Sequence, residues 1–272
     1  MKSAWDARIR RATELTSTYS FAAEALRFYA QLALLQQKIY SGIAQSPAHF
    51  ISRSDSIWGE LNSSALQPGF SEFLRNVRAI APSALGQAAD EILRRNSSSS
   101  WALLEKIWPS AAAIRDSEET KDIAVAERGL AWLFLQPFAE YLAGRSQVLS
   151  DDSPRTCPVC GSNPIVGVLR PEGDGAKKSL ICMFCAHEWV FRRIYCPACG
   201  EEREPQMAFY SAPEIPHVRV DTCETCHMYL KSVDLTKTGL AVPVVDELAA
   251  LPLDLWAREK GYRKLQMNAV GL

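Results

Sequence analysis

No stretch of the chain reaches the ~18 consecutive apolar residues that a membrane-spanning helix requires. The strongest run, Leu130 to Leu135, is short and lies between Arg128 and Gln136. The opening residues, Met1 to Arg11, lack the apolar segment of a secretory signal and read as the start of a helix. Both absences predict a cytoplasmic chain with no membrane span. An excess of one charge is missing too: the formal net charge is −1, so nothing at this level implies a polyanionic partner. The sequence contains no glycine-rich phosphate loop, no nucleophile elbow and no His-Glu-x-x-His segment, and these are the motifs that would point to nucleotide, acyl-transfer or zinc-hydrolase chemistry. No catalytic constellation is therefore expected. What is present is ordinary globular material: 272 residues, 47% hydrophobic and 22% charged, enough for a sizeable core in one large or two medium domains.

Cysteine is absent from residues 1–156 and from everything after residue 226. All eight cysteines fall between, as four Cys-x-x-Cys pairs: Cys157/Cys160, Cys182/Cys185, Cys196/Cys199 and Cys223/Cys226. In a reducing cytosol disulfides rarely persist, and such pairs mean metal or redox chemistry. A Cys-x-x-Cys turn brings two thiolates to one point, and two turns facing each other make a tetrahedral four-sulfur site. Proline stiffens the turns at Cys157-Pro158-Val159-Cys160-Gly161 and Cys196-Pro197-Ala198-Cys199-Gly200. The glycine after the second cysteine reaches positive φ without penalty, which lets backbone N–H groups aim at sulfur.

The spacing repeats. In one module 21 residues (161–181) separate Cys160 of the Cys-Pro-x-Cys-Gly turn from a plain Cys-x-x-Cys; in the next, 23 (200–222) separate Cys199 from another. A duplicated module most simply closes on itself. Cys157, Cys160, Cys182 and Cys185 then form one site, and Cys196, Cys199, Cys223 and Cys226 the second. A nested pairing would have to close the second and third turns across only ten residues. Modules of about 40 residues are near the size at which an apolar core alone seldom suffices, so the metals are expected to staple the fold. Four-sulfur geometry suits zinc or a single iron, and with no open ligand position it does not suit hydrolysis. His187 and His227 lie beside the cysteines but are not needed as ligands, and His49 and His217 are isolated.

The rest of the chain divides around this block. Residues 1–150 read as an all-helical domain. Phe21, Ala25, Phe28, Leu32, Leu35 and Ile39 share one face of a helix over about 20–40. Shorter helices are expected near 70–80, 82–95 and 98–108. A long helix from about Ser117 to Gly144 opens on Glu118, Glu119 and Asp122 and is apolar on most faces, as a central bundle helix would be. A polar, proline-containing linker precedes the metal modules, placed at 151–195 and 196–240. These alternate short strands, with a hairpin turn at Pro171 to Gly175. A C-terminal helical segment, 241–272, carries Leu248, Leu251, Leu255 and Trp256 as its apolar set, with Pro252 starting a second segment or kinking the first. The expected fold class is thus α plus small β: a helical N-terminal domain, two tandem rubredoxin-like or zinc-ribbon modules, and a C-terminal helix.

Zinc ribbons often bind nucleic acid, but residues 157–231 carry eight basic and nine acidic side chains, a poor footprint for phosphate binding. A dithiol redox protein is the other alternative, though four pairs in two matched modules suit metal better. A third reading comes from likeness. Cys157-Pro-Val-Cys-Gly-Ser-Asn-Pro164, Cys182-x-x-Cys185 with Glu188-Trp189, Cys196-x-x-Cys199, and Cys223-x-x-Cys-x-x-Tyr229-Leu230-Lys231 together resemble the formate dehydrogenase accessory protein FdhE family. Asp246-Glu-Leu-Ala, Leu253-Asp254 and Glu259-x-Gly261-Tyr262 resemble its closing helix, and the helix through Leu26 to Tyr40 its first long one. The resemblance implies a cytoplasmic accessory protein, not itself the dehydrogenase. It implies a helical domain and two iron-linked rubredoxin-like modules. It further implies a role in maturing respiratory formate dehydrogenase through the catalytic subunit, around twin-arginine export.

Overall fold

The computed structural model describes residues 4–52, 60–95, 97–108, 125–146, 148 and 153–271. Two compact units divide the chain: residues 1–30, 148–158 and 162–272 form one, and residues 31–147 with 159–161 the other. The acidic start expected at Glu118 to Asp122, and the linker residues around the boundary at 150, lie outside the described residues.

The N-terminal elements are α1 (Ala4–Thr18), α2 (Ala23–Gln45), α3 (Pro47–Phe50), the two-residue strands β1 (Ile51–Ser52) and β2 (Glu60–Leu61), α4 (Ser63–Ile80), α5 (Ser83–Arg94), α6 (Ser97–Ile107) and α7 (Val125–Ala143). Helix α4 begins about two turns earlier than expected, at Ser63, because Asn62 caps it by accepting from Ser64 N–H at 3.1 Å. Helix α7 is buried on most faces, and its Phe134 packs against Phe70, Phe73 and Phe138. It runs through Pro137, which has no N–H and would orphan the carbonyl of Leu133. Gln36 of α2 fills that gap: its amide donates to Leu133 O at 2.8 Å and to Gln136 Oε1 at 2.9 Å.

That bond also explains a departure from the expected apolar stripe of α2. The buried side chains are Leu26, Phe28, Tyr29, Leu32, Ala33, Gln36 and Ile43, whereas Phe21 is 50% exposed and sits in a 3-10 turn before the helix. A polar residue occupies the face because it has a buried carbonyl to serve.

The cysteine half forms one sheet. Strands β3 (Pro164–Glu172), β4 (Gly175–Cys182) and β5 (Glu188–Val190) make an antiparallel meander; β6 (Met207–Ser211), β7 (Val218–Cys223) and β8 (Met228–Asp234) make another. The order is β5-β4-β3-β8-β7-β6, with β3 and β8 parallel at the seam. The two meanders therefore repeat by translation. The first hairpin turns at Gly173-Asp174, where Gly173 has φ 55°. The third strand of the first module, Glu188–Val190, is short, and Phe191 N–H extends its ladder by one further bond to Lys178 O of β4 at 3.0 Å. At the seam a Cβ on Gly167 would lie 2.2 Å from Ser232 Oγ and 3.2 Å from its Cβ, so any larger residue would force Ser232 to shift.

The C-terminal helix is two helices, α8 (Pro243–Ala249) and α9 (Leu251–Glu259), followed by the short strand β9 (Arg263–Lys264) beside β8. Leu248 is buried, whereas Leu255 is 57% exposed.

Candidate metal centres

Each module carries two chain reversals, and each reversal ends on a residue in the left-handed region: Gly161 (φ 76°), Ala186 (φ 53°), Gly200 (φ 82°) and His227 (φ 54°). Two of the four are not glycine, although the same conformation follows every second cysteine. The reversals are closed by backbone bonds, which match at the two Cys-Pro turns and differ at the other two. Cys157 N–H donates to Ser162 O, and Cys196 N–H to Glu201 O, both at 2.8 Å. Cys182 N–H donates to His187 O at 2.9 Å, and His227 N–H to Cys223 O at 2.9 Å.

These turns gather the eight cysteines into two groups, Cys157, Cys160, Cys182 and Cys185 in one and Cys196, Cys199, Cys223 and Cys226 in the other. Within each group the sulfurs lie within 4.8 Å of one another. The pairing is tandem, not nested. The Cys157–Cys185 sulfurs are 3.6 Å apart, and the Cys196–Cys226 and Cys199–Cys223 sulfurs 3.7 Å. A disulfide needs about 2.05 Å. A tetrahedron with metal–sulfur bonds of about 2.3 Å has an edge of about 3.8 Å. The donor set thus fits a thiophilic ion, and each group can hold one. Backbone N–H groups face the sulfurs, as that of Phe184 does toward Cys182 Sγ at 3.3 Å. Burial pushes the Cys196 thiol up to about 11 and raises Cys226, in both cases against backbone N–H groups that act the other way. Burial opposes ionisation at Cys199 as well, but the Glu201 N–H and neighbouring thiols outweigh it and its pKa is lowered. A metal entering the second site would displace protons from the raised thiols.

What surrounds the two groups differs. The residues inside the first module's turns include Val159, Met183 and Phe184, all buried, with Trp189 buried nearby. Trp189 Nε1 donates to Pro154 O at 2.9 Å. The equivalent residues in the second module are Ala198 and Glu224, half-buried, and Thr225, exposed. Polar ties accompany the smaller side chains of these turns. The Glu201 carboxylate accepts from Thr225 Oγ1 at 2.7 Å and from Arg203 NH2 at 2.7 Å, and its pKa is lowered chiefly by Arg203. Tyr262 OH donates to Glu224.

Behind the second site lies a buried charged network. Lys231, fully buried, reaches Asp254 at 2.5 Å, Glu247 at 3.0 Å and the Glu247 carbonyl at 2.6 Å. Lys264 reaches the same two carboxylates, and Tyr229 OH donates to Asp254 at 2.8 Å. Burial works against the charges of Lys231, Lys264 and Asp254. It lowers Lys231, but Asp254 is still held below the ordinary carboxylate range by the two lysines. A second knot centres on Asp246, buried, which accepts from Arg11 of α1 at 2.6 and 3.0 Å and from Val242 N–H at 2.8 Å, and lies 2.8 Å from His217 Nε2. A third lies on the sheet itself: Asp221 accepts from Lys178 at 2.8 Å and Ser232 at 2.7 Å, tying β7 to β4 and β8. Sequence reasoning left His217 isolated and gave Lys231, Glu247 and Lys264 no role. Lys231 and Glu247 figured there only within the family-like motifs Tyr229-Leu230-Lys231 and Asp246-Glu-Leu-Ala.

The described residues contain no helix long and apolar enough to cross a membrane. The family described as FdhE, central domain, matches residues 156–193, and FdhE, C-terminal domain, matches residues 194–270. Among curated proteins, a Protein FdhE homolog of Haemophilus influenzae is 30% identical over 219 residues, covering 79% of this chain and 67% of that protein. One of Aquifex aeolicus is 38% identical over 117 residues, 42% of this chain; the match spans only 41% of the relative's length. The crystal structure of the FdhE protein from Pseudomonas aeruginosa shares the fold, with a TM-score of 0.68 at 22% identity over 99% of this chain and 96% of that one.

Proposed function

The chain belongs to the FdhE family, and from that premise we propose that it is an accessory factor for respiratory formate dehydrogenase. It would bind the catalytic subunit in the cytoplasm during maturation, without catalysing a reaction of its own. The family match, extending over most of the chain, carries this reading. In the same proposal Cys157, Cys160, Cys182 and Cys185 hold one iron or zinc ion, and Cys196, Cys199, Cys223 and Cys226 hold the other. The sulfur spacings of 3.6 and 3.7 Å support that assignment. The ions would neutralise thiolates and fix the four reversals, so that the surface of the sheet tips is formed before a partner arrives.

The test has two parts. Elemental analysis and a visible spectrum of anaerobically purified protein should give two metal equivalents, with visible absorption if the metal is iron. A strain lacking the gene should lose formate dehydrogenase activity and regain it from the intact gene but not from Cys157→Ser or Cys196→Ser. The purified chain should capture the immature catalytic subunit. Capture and full activity with both variants would refute the reading.

A further inference from the structure

We infer that the second four-sulfur site is an exchange site: it accepts an external thiolate in place of Cys199, while the first site keeps its own four sulfurs. The inference rests on the metal assignment just proposed. Cys199 is the one exposed cysteine of the eight; Cys160 and Cys226 are half-buried and the other five are buried. Exposure alone would be a weak argument, but the cover differs in the same direction. Val159, Met183 and Phe184 put apolar atoms around the first group, where a hydrated nucleophile has no favourable approach. Ala198 offers one methyl group, and Thr225 is exposed beside the second group.

The second site is also built to survive the loss of one ligand. Glu201 bridges its two reversals, taking Thr225 Oγ1 on its carboxylate and Cys196 N–H on its carbonyl. Arg155 holds the Ala198 carbonyl at 2.9 Å. Cys196 and Cys223 are 2% and 1% exposed and stay in place. The Glu201 position in the first module is Ser162, a buried residue whose hydroxyl has no hydrogen-bond partner and makes no such bridge.

The exchange balances simply. The incoming sulfur forms a bond to the ion as the Cys199 Sγ bond breaks. One thiolate replaces another, so the charge of the site is unchanged, and the proton of the incoming thiol passes to the released Cys199. No oxidant or reductant is required.

The full-length chain loaded with zinc, at two equivalents by elemental analysis, is mixed with a chromogenic zinc chelator with and without glutathione. Release should occur in two phases of equal amplitude, and glutathione should accelerate the fast phase by about tenfold or more and leave the slow one unchanged, since access governs thiol exchange. Limiting iodoacetamide on the same zinc-loaded protein, followed by peptide mapping, should label Cys199 first; this measurement needs no variant. A single phase, equal acceleration of both phases, or first labelling at Cys160 would overturn the inference while leaving the metal assignment standing. Failure to retain two equivalents at the outset would overturn the metal assignment, and the inference with it.

Discussion

The second cysteine turn of the first module is Cys182-Met183-Phe184-Cys185, and its counterpart is Cys223-Glu224-Thr225-Cys226. Backbone conformation, sulfur spacing and strand order match, yet the two are stabilised by different physics. The first module carries its own apolar core, with Phe184, Trp189 and Phe191 all under 5% exposed. The second borrows stability from outside the repeat: from the carboxylates of α8 and α9 around Lys231, and from Tyr262 on Glu224. A duplicated unit can thus keep its metal geometry while one copy exchanges hydrophobic burial for buried ion pairs, provided other elements supply the counter-charges.

Matched substitutions can break that comparison. The largest difference should come from Lys231→Met against Val190→Met, the corresponding strand positions. Removing the Lys231 ammonium leaves two buried carboxylates with one cation, at a cost of about 3–5 kcal/mol, whereas Val190 is 42% exposed and its replacement should stay within about 0.5 kcal/mol. Urea unfolding of both proteins would read the contrast, and equal effects would abolish it. Next is Phe184→Ala against Thr225→Ala. The first empties a fully buried aromatic site, for about 3–5 kcal/mol; the second removes one exposed hydrogen bond, for about 1 kcal/mol. Gly167→Ala then tests the seam the modules share. Its Cβ would collide with Ser232 Oγ, and overpacking of this kind costs about 1–3 kcal/mol. Thermal unfolding should fall for both modules together. Smallest are Ala186→Gly and His227→Gly, in which relief of left-handed strain outweighs added chain entropy by less than about 1 kcal/mol. Both should raise the unfolding midpoint by similar amounts, since here the modules are alike.

Much of the cysteine half was legible because its signals are local. Cys-x-x-Cys spacing, the Pro171-Glu-Gly-Asp-Gly175 hairpin turn and β-branched runs fix neighbours within a few residues of each other. The buried charges were not legible, because Lys231 meets Asp254 and Glu247 across a turn and two helices, and Arg11 meets Asp246 from the other end of the chain. Nothing in Asp246 itself distinguishes a helix-entry residue from the hub of a buried knot. Ala186 and His227 hid their positive φ for a related reason: glycine announces that conformation, while these residues are held in it by the turn around the sulfurs. In α2 the apolar count placed Phe21 inside and missed Gln36, whose burial depends on a proline at position 137. Of the two roles open to Pro252, the structure takes the first: the chain departs from helical geometry at Ala250 and a second helix starts with Pro252 in its first turn.

The parallel seam also has a consequence for synthesis. Strands β3 and β4 can pair as soon as the ribosome has released them, but β3's other neighbour, β8, is the last strand of the second module to be made, with Gly167 and Ser232 becoming partners from far apart in the chain. Until then Ile165, Val166, Val168 and Leu169 stand on an open sheet edge. Long-range parallel pairing is slow to form and leaves such edges prone to association. The interval between translation of β3 and of β8 is therefore the nascent chain's most vulnerable period, and slowing elongation between codons 172 and 228 should raise the insoluble fraction.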